Sequence, residues 1–146
     1  MKLENIKTLG ELKKSGYESK SIKDELRHNL REKIKTGKPT FEGVHGFENT
    51  VIPELERAIF SRHNINLLGL RGQAKTRLAR KMIELLDEYI PFVTGSEIND
   101  DPLQPISRFA KDIIEIKGDE TPISWLHRND RFFEILATPD VTVAAL

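Results

Sequence analysis

The sequence has no cysteine, few aromatic side chains and no net charge. Because cysteine is absent, disulfides, thiolate metal sites and a cysteine nucleophile are excluded. No apolar run is long enough to span a membrane, and residues 1–10 lack the apolar segment of a secretory signal, so we expect a cytoplasmic protein without a membrane partner. The 146 residues are 38% hydrophobic and 32% charged, which predicts one soluble globular core with a preference for helix.

The charges are unevenly distributed along the chain. Residues 1–40 carry 11 basic and 6 acidic side chains, whereas residues 41–146 carry 12 basic and 17 acidic ones. Within the second part, residues 57–83 contain seven basic side chains and no carboxylate, which predicts an anionic ligand nearby. The seven side chains are Arg57, Arg62, Arg71, Lys75, Arg77, Arg80 and Lys81.

Two pairs of residues with capping-box spacing predict helices in residues 1–40. Thr8 lies three residues before Glu11, and Ser21 lies three residues before Asp24. The second of these helices should end before Gly37. Basic and acidic side chains alternate here, as is usual for an exposed helix, so nucleic acid is not the expected partner despite the basic excess.

The middle of the chain predicts a helix, a strand, a loop and a further helix. A third helix should begin at Thr50 or Pro53 and bury Leu55 and Ile59. The apolar run over 65–68 stops at a glycine, and its length favours a buried strand. Apolar side chains then recur on one helical face over 76–91. Strand, loop and helix in this order form half of a βαβ unit, which indicates the α/β class. A second strand is expected at Phe92-Val93 and the following residues, ending at the turn over residues 99–102, and an amphipathic segment over 106–114 comes after it.

The loop after the predicted strand matches most of a phosphate-loop pattern. Residues 69–76 read GLRGQAKT and agree with G-x-x-x-x-G-K-[ST] at the first glycine, the lysine and the threonine, with Ala74 in place of the second glycine. Such a loop points backbone N–H groups at a polyphosphate, its lysine reaches the β- and γ-phosphates, and its hydroxyl ligates Mg²⁺. Basic side chains at the start of the following helix are unfavourable unless an anion is bound. The predicted cofactor-binding residues are Gly69, Leu70, Arg71, Gly72, Gln73, Ala74, Lys75 and Thr76, and Thr76 is also the predicted metal ligand.

This loop and its surroundings resemble the AAA+ ATPases of the MoxR and magnesium-chelatase I-subunit group. The segment Val44-His45-Gly46-Phe47 is similar to that group's short segment beside the adenine, which adds Val44 and Gly46 to the predicted site. Residues 57–69 resemble its first helix and strand, and residues 137–141 resemble the start of its helix-2 insert. The resemblance covers about residues 40–146. It implies a helical lead-in over residues 1–40 and the N-terminal part of a P-loop AAA+ nucleotide-binding domain over residues 41–146.

The resemblance also implies ATP and Mg²⁺ as cofactors. In the complete protein it implies ATP hydrolysis by a homo-oligomeric ring, and it leaves open metal insertion into a tetrapyrrole, remodelling of a partner protein and transcriptional regulation as the work of that ring. The sequence departs from the group because no run of four apolar residues is followed by Asp-Glu; the nearest segment, residues 113–120, is interrupted by charges and a glycine. The resemblance implies that this acidic pair follows residue 146. We therefore place no catalytic residue in this chain and expect it to hydrolyse ATP poorly or not at all on its own.

Other functions stay open from the residues alone. An ATP-binding scaffold or sensor module would use the same loop without turnover. A basic nucleic-acid-binding domain would use residues 57–81 on backbone phosphates. The plain structural alternative is a glycine-rich turn before a solvated basic helix. The four histidines show no i, i+3 or i, i+4 pairing, so a histidine metal cluster is not predicted.

Overall fold

A computed structural model gives the fold and describes residues 5–70, 72 and 74–135. Helices and a small two-stranded sheet make up this part of the chain, which is consistent with the α/β class. The helices are α1 (Leu9–Lys14), α2 (Ile22–Lys35), α3 (Val51–Phe60), α4 (Lys75–Lys81) and α5 (Arg108–Lys117), and the strands are β1 (Tyr89–Val93) and β2 (Ile123–His127). Turns of 3₁₀ helix cover Met82–Leu85, Gly118–Glu120 and Arg128–Arg131.

The helices predicted in residues 1–40 form with their predicted caps. Thr8 Oγ1 accepts a hydrogen bond from the backbone N–H of Glu11 at 3.3 Å, at the start of α1. Ser21 Oγ accepts one from the backbone N–H of Asp24 at 3.2 Å, at the start of α2. Each cap satisfies an N–H group that has no partner inside its helix. The local signals in the sequence therefore determine where these two helices begin.

The larger core lies between α2, α3, α4 and the segment that precedes α3. Only part of the apolar stripe on α2 contributes to it, because Leu30 is fully buried whereas Ile22 and Ile34 remain about half exposed. This core joins the helix after the predicted phosphate loop to the segment that contains Val44. Its buried members are Leu30, Phe41, Val44, Leu55, Ile59, Leu78 and Leu85.

The sheet is antiparallel and joins segments that are far apart in sequence. β1 pairs with β2 from Tyr89 opposite His127 to Val93 opposite Ile123. The predicted continuation of a helix to Pro91 is therefore wrong, since α4 ends at Lys81 and β1 begins at Tyr89. The strand expected at Phe92-Val93 and the following residues is confirmed only at Phe92 and Val93, because β1 runs from Tyr89 to Val93. A parallel βαβ start is not formed within the described residues.

The strand predicted over residues 65–68 is also not formed. Residues 63–70 have no regular secondary structure. Ile65 and Leu67 pack against the larger core while Leu68 is 85% exposed, so alternate side chains still point to opposite sides. Within the part of the chain that the structure describes, no neighbouring strand pairs with this segment. The buried strand predicted from this apolar run is therefore not found in the described residues, because strand pairing depends on a partner segment.

A smaller cluster packs residues 6–12 against β2. Ile6, Leu12 and Ile123 are buried together. The carbonyl oxygen of Lys7 accepts a hydrogen bond from the backbone N–H of Ile123 at 2.9 Å, and Thr8 forms a bridge with Pro122. Helix α1 therefore shares a core with β2.

Candidate functional site

The ammonium group of Lys75 contacts carbonyl oxygens at the start of the predicted phosphate loop. Lys75 Nζ donates to the carbonyl oxygen of Gly69 at 2.9 Å and also to that of Leu70. Lys75 is the first residue of α4, so its side chain runs back along the loop. Of the eight predicted loop residues, Arg71 and Gln73 lie outside the described residues. The loop therefore has a positive charge in contact with its own carbonyl oxygens.

The backbone is left-handed at the position where the motif usually has its second glycine. Ala74 has φ 54° and ψ 14°, and Gly72 has φ 81°. This conformation costs a residue with a side chain about 1–2 kcal/mol. A left-handed residue followed by a right-handed one directs successive backbone N–H groups toward a common point, where an anion can bind. Ala74 followed by helical Lys75 has this arrangement.

The first N–H groups of α4 have no acceptor among the described residues. Ala74 provides no side-chain cap, and the first turn contains no acidic residue. The first backbone hydrogen bond runs from Leu78 N to Ala74 O at 2.9 Å. The N–H groups of Lys75, Thr76 and Arg77 are therefore left to solvent or to an external acceptor.

The segment that resembles an adenine neighbour contacts the same helix. Val44 is buried in the larger core together with Leu78 of α4. A Cβ atom built on Gly43 would lie 3.4 Å from Nη2 of Arg77, so this turn touches the first turn of α4. The N–H group of Gly46 already donates to Glu48 Oε2 at 2.8 Å. The fold thus places Val44 in the same core as Leu78 of α4, whereas the amide of Gly46 is occupied within its own turn.

A cavity of about 600 Å³ adjoins this turn. It lies between the end of α2, residues 37–48 and α3, and its volume is in the range of small-molecule sites. Of the apolar residues that line the cavity, Val44 is also part of the site that the resemblance predicts. The other apolar residues come from separate elements, so no local sequence pattern indicates that they lie together. The apolar lining consists of Ile34, Pro39, Phe41, Val44 and Ile52.

Carboxylates pair with part of the basic stretch at residues 57–83, two of them from distant segments and one, Glu84, from the next turn of the chain. Three of the seven cations therefore have a partner in the fold and need no external anion. The hydrogen bond from Arg80 lowers the pKa of the Glu134 carboxyl below its ordinary value. Among the described residues, no carboxylate lies within ion-pair distance of Arg57 or Arg77. The three pairs are Arg62–Asp24 (3.0 Å), Arg80–Glu134 (2.8 Å) and Lys81–Glu84 (2.6 Å).

Thr76 is suited to bind a magnesium ion only together with a phosphate ligand. Over residues 5–70, 72 and 74–135, no group of three or more metal-ligating side chains could hold a metal ion. Magnesium in phosphate sites usually keeps several waters and takes one or two protein ligands, the remainder being phosphate oxygens. Thr76 is exposed, and its hydroxyl makes no hydrogen bond in the described structure. The residues present therefore fit a phosphate-bound Mg²⁺ and do not form an independent metal site.

The segment of the sequence that comes nearest to a strand ending in Asp-Glu is helical. Residues 113–120 form the end of α5 and a 3₁₀ turn, so they provide no strand that ends in acidic residues. Residues 137–141, which resemble the start of an insert, lie outside the described residues.

Among the described helices, none has the length and apolar character needed to cross a bilayer. Comparison with protein-family models, with curated proteins and with solved structures finds no match.

Proposed function

We propose that residues 69–76 bind the phosphates of ATP together with Mg²⁺. The observation that carries this proposal is the left-handed backbone of Ala74 directly before Lys75, whose ammonium lies on the carbonyl oxygens of the same loop. Backbone strain that persists at a loop–helix junction supports a binding role. On binding, the ammonium would exchange these carbonyls for β- and γ-phosphate oxygens, which are stronger acceptors because they are charged.

The distribution of charge around the loop supports a polyanionic ligand. Lys75 and Arg77 have no carboxylate partner within the described residues, and the unused N–H groups lie beside them. The Gly43 turn, which Arg77 contacts, also lines the cavity of about 600 Å³. A nucleotide would place its phosphates at the loop and its base in this cavity, close to Val44.

For the complete protein we propose ATP hydrolysis by a P-loop AAA+ domain similar to the MoxR and magnesium-chelatase I-subunit group. It would work as a homo-oligomeric ring, and metal insertion into a tetrapyrrole, remodelling of a partner protein and transcriptional regulation are all compatible with such a domain. When bound, Mg²⁺ neutralises charge on the phosphates during attack by water. In this chain, Lys75 would hold the phosphates and Thr76 would hold the metal ion. A scaffold or sensor module that binds ATP at the same loop without turnover is the alternative.

Titration calorimetry with Mg-ATP tests the proposed site. We expect Lys75→Ala to lower the affinity about 10- to 100-fold, because a hydrogen bond from a charged group to phosphate is lost. The matched control is Lys111→Ala, since Lys111 is exposed on α5 and should not affect binding. Equal affinities of the wild type and Lys75→Ala for ATP would contradict the assignment. Phosphate release from ATP then separates an ATPase from a binding module.

A titration with tripolyphosphate and with duplex DNA separates nucleotide binding from general phosphate binding. A nucleotide site should prefer ATP over tripolyphosphate, because the base adds contacts in the cavity. A nucleic-acid-binding surface should instead show no such preference and should lose DNA affinity steeply as salt increases.

A further inference from the structure

Glu56 presents a partly fixed carboxylate to the cavity of about 600 Å³. It lies on α3, is half-buried and lines the cavity wall. Its Oε1 atom accepts a hydrogen bond from Oγ1 of the buried Thr40 at 2.6 Å. Its Oε2 atom has no donor among the described residues. One oxygen is thus held in place while the other can accept a hydrogen bond from a ligand.

The charged groups that line this cavity are mainly acidic. Its acidic side chains are Glu42, Glu48 and Glu56, and its basic side chains are Lys38 and His45. An acidic wall repels phosphate and favours groups that donate hydrogen bonds. The basic loop at residues 69–76 has the opposite preference. A ligand that binds to both the loop and the cavity therefore needs an anionic end for the loop and an uncharged end with a hydrogen-bond donor for the cavity.

We infer that Glu56 recognises the exocyclic amino group of the nucleotide base, so that the site selects adenine over hypoxanthine. This inference rests on the proposed nucleotide-binding function. Adenine carries an amino donor at the position where hypoxanthine carries a carbonyl oxygen. An ionised carboxylate can only accept, so with the base in the same orientation hypoxanthine would place two unpaired acceptors against each other.

The apolar lining explains why this one contact decides between the two bases. Val44 and Ile52 contact either ring without distinguishing them, because adenine and hypoxanthine have nearly the same shape. A site that hydrogen-bonds a particular group discriminates strongly against an analogue that lacks it, whereas an apolar surface does not.

Calorimetric titration with Mg-ATP and with Mg-ITP, the hypoxanthine analogue, tests the inference. We expect the wild type to bind ATP about tenfold more tightly than ITP. Glu56→Gln should bring this ratio to about one or lower, because the amide can donate to the hypoxanthine oxygen. Glu54→Gln is the matched control: it removes the same charge from the same helix, and Glu54 is exposed and does not line this cavity. It should retain the wild-type ratio.

The outcomes separate this inference from the function on which it rests. A Glu56→Gln variant that keeps a tenfold preference for ATP overturns the role of Glu56. Equal binding of ATP and ITP by the wild type overturns the selectivity and leaves the phosphate site intact. Absence of binding of either nucleotide removes the proposed function and this inference with it. The ratio of ATP affinity to ITP affinity is measured on the wild type, so this test remains valid even if Glu56→Gln fails to fold.

Discussion

Asp100 is a buried carboxylate that its neighbours hold in the ionised form. It is 3% exposed and accepts hydrogen bonds from Ser96 Oγ (2.7 Å), Ile106 N (2.7 Å), Ser107 N (2.8 Å) and Ser107 Oγ (2.5 Å). Burial alone would raise the pKa of this carboxyl, but the hydrogen bonds from Ser107, Ser96 and Ile106 hold it well below its ordinary range. Because Ser107 also caps α5, Asp100 fixes the loop between β1 and that helix.

We predict that Asp100→Asn lowers the free energy of unfolding by about 2–3 kcal/mol at pH 7, since an amide cannot accept all four hydrogen bonds. The folded-state pKa is lower than the unfolded value of about 3.9, so the stabilisation is complete above that value and is lost as the pH falls below it. Urea denaturation should therefore show the difference between wild type and variant shrinking from about pH 4 to pH 2.

The control for this prediction is Asp112→Asn. Asp112 is exposed on α5 and forms an ion pair with Arg108 at 3.6 Å. Its replacement should change the unfolding free energy by less than about 0.5 kcal/mol. If Asp100→Asn and Asp112→Asn change the free energy of unfolding by the same amount, the hydrogen bonds to Asp100 do not stabilise the loop.

At the scale of elements, α2 is attached to the rest of the fold by a buried ion pair. Glu25 is 2% exposed and binds Arg131 through two hydrogen bonds of 2.6 and 2.7 Å. It also accepts from the backbone N–H of Asp87 at 2.6 Å. The hydrogen bond with Glu25 raises the pKa of Arg131. Next to this pair, burial and then the negative charges of Asp101, Asp87 and Glu25 raise the pKa of Tyr17 to about 12, so its phenol stays protonated.

Replacement of Arg131 by methionine should be strongly destabilising. Arg131→Met leaves the Glu25 carboxylate buried without its cation, which costs about 3–5 kcal/mol in the free energy of unfolding. The comparison variant is Arg62→Met, which removes the solvent-exposed ion-pair partner of Asp24 on α2. That change should cost less than about 1 kcal/mol. Chemical denaturation of the two variants measures the difference, and similar costs would show that Glu25 does not depend on its partner.

At the scale of the whole molecule, the described structure has two apolar clusters with polar contacts between the segments that carry them. The larger cluster surrounds α3 and α4, and the smaller one joins residues 6–12 to β2. The Glu25–Arg131 pair links α2 to the turn after β2. Asn29 Nδ2 donates to the carbonyl oxygen of Leu85 at 2.9 Å, which links α2 to the chain before β1. These contacts make one cooperative unit the expected behaviour.

We predict a single unfolding transition in which tryptophan fluorescence and far-UV circular dichroism coincide. Trp125 is the sole tryptophan; it packs on the smaller cluster and donates from Nε1 to the carbonyl oxygen of Ile6 at 2.9 Å. Leu12→Ala should lower the free energy of unfolding by about 2–5 kcal/mol and shift both signals together. A shift of the fluorescence transition alone would mean that the two clusters unfold independently.

The sequence predicted those features that depend on near neighbours in the chain. The caps at Thr8 and Ser21 and the inward face of α3 follow from spacings of three or four residues, and the structure has them as expected. The glycine-rich loop before a basic helix is likewise a local feature, so the sequence locates it. The left-handed conformation of Ala74 is not visible in the sequence, because alanine gives no indication of positive φ.

The sequence by itself determined the starts of α1 and α2, the composition of the loop and the inward face of α3. Only the tertiary structure decided that residues 65–68 have no strand partner within the described residues, that β1 pairs antiparallel with β2, and that distant carboxylates pair with Arg62 and Arg80. It also decided that Thr40 and Glu56 meet in one cavity wall. The physical reason is the same in each case. Caps and periodicity act within one turn of chain, whereas pairing, burial and charge compensation depend on segments that meet only when the chain has folded.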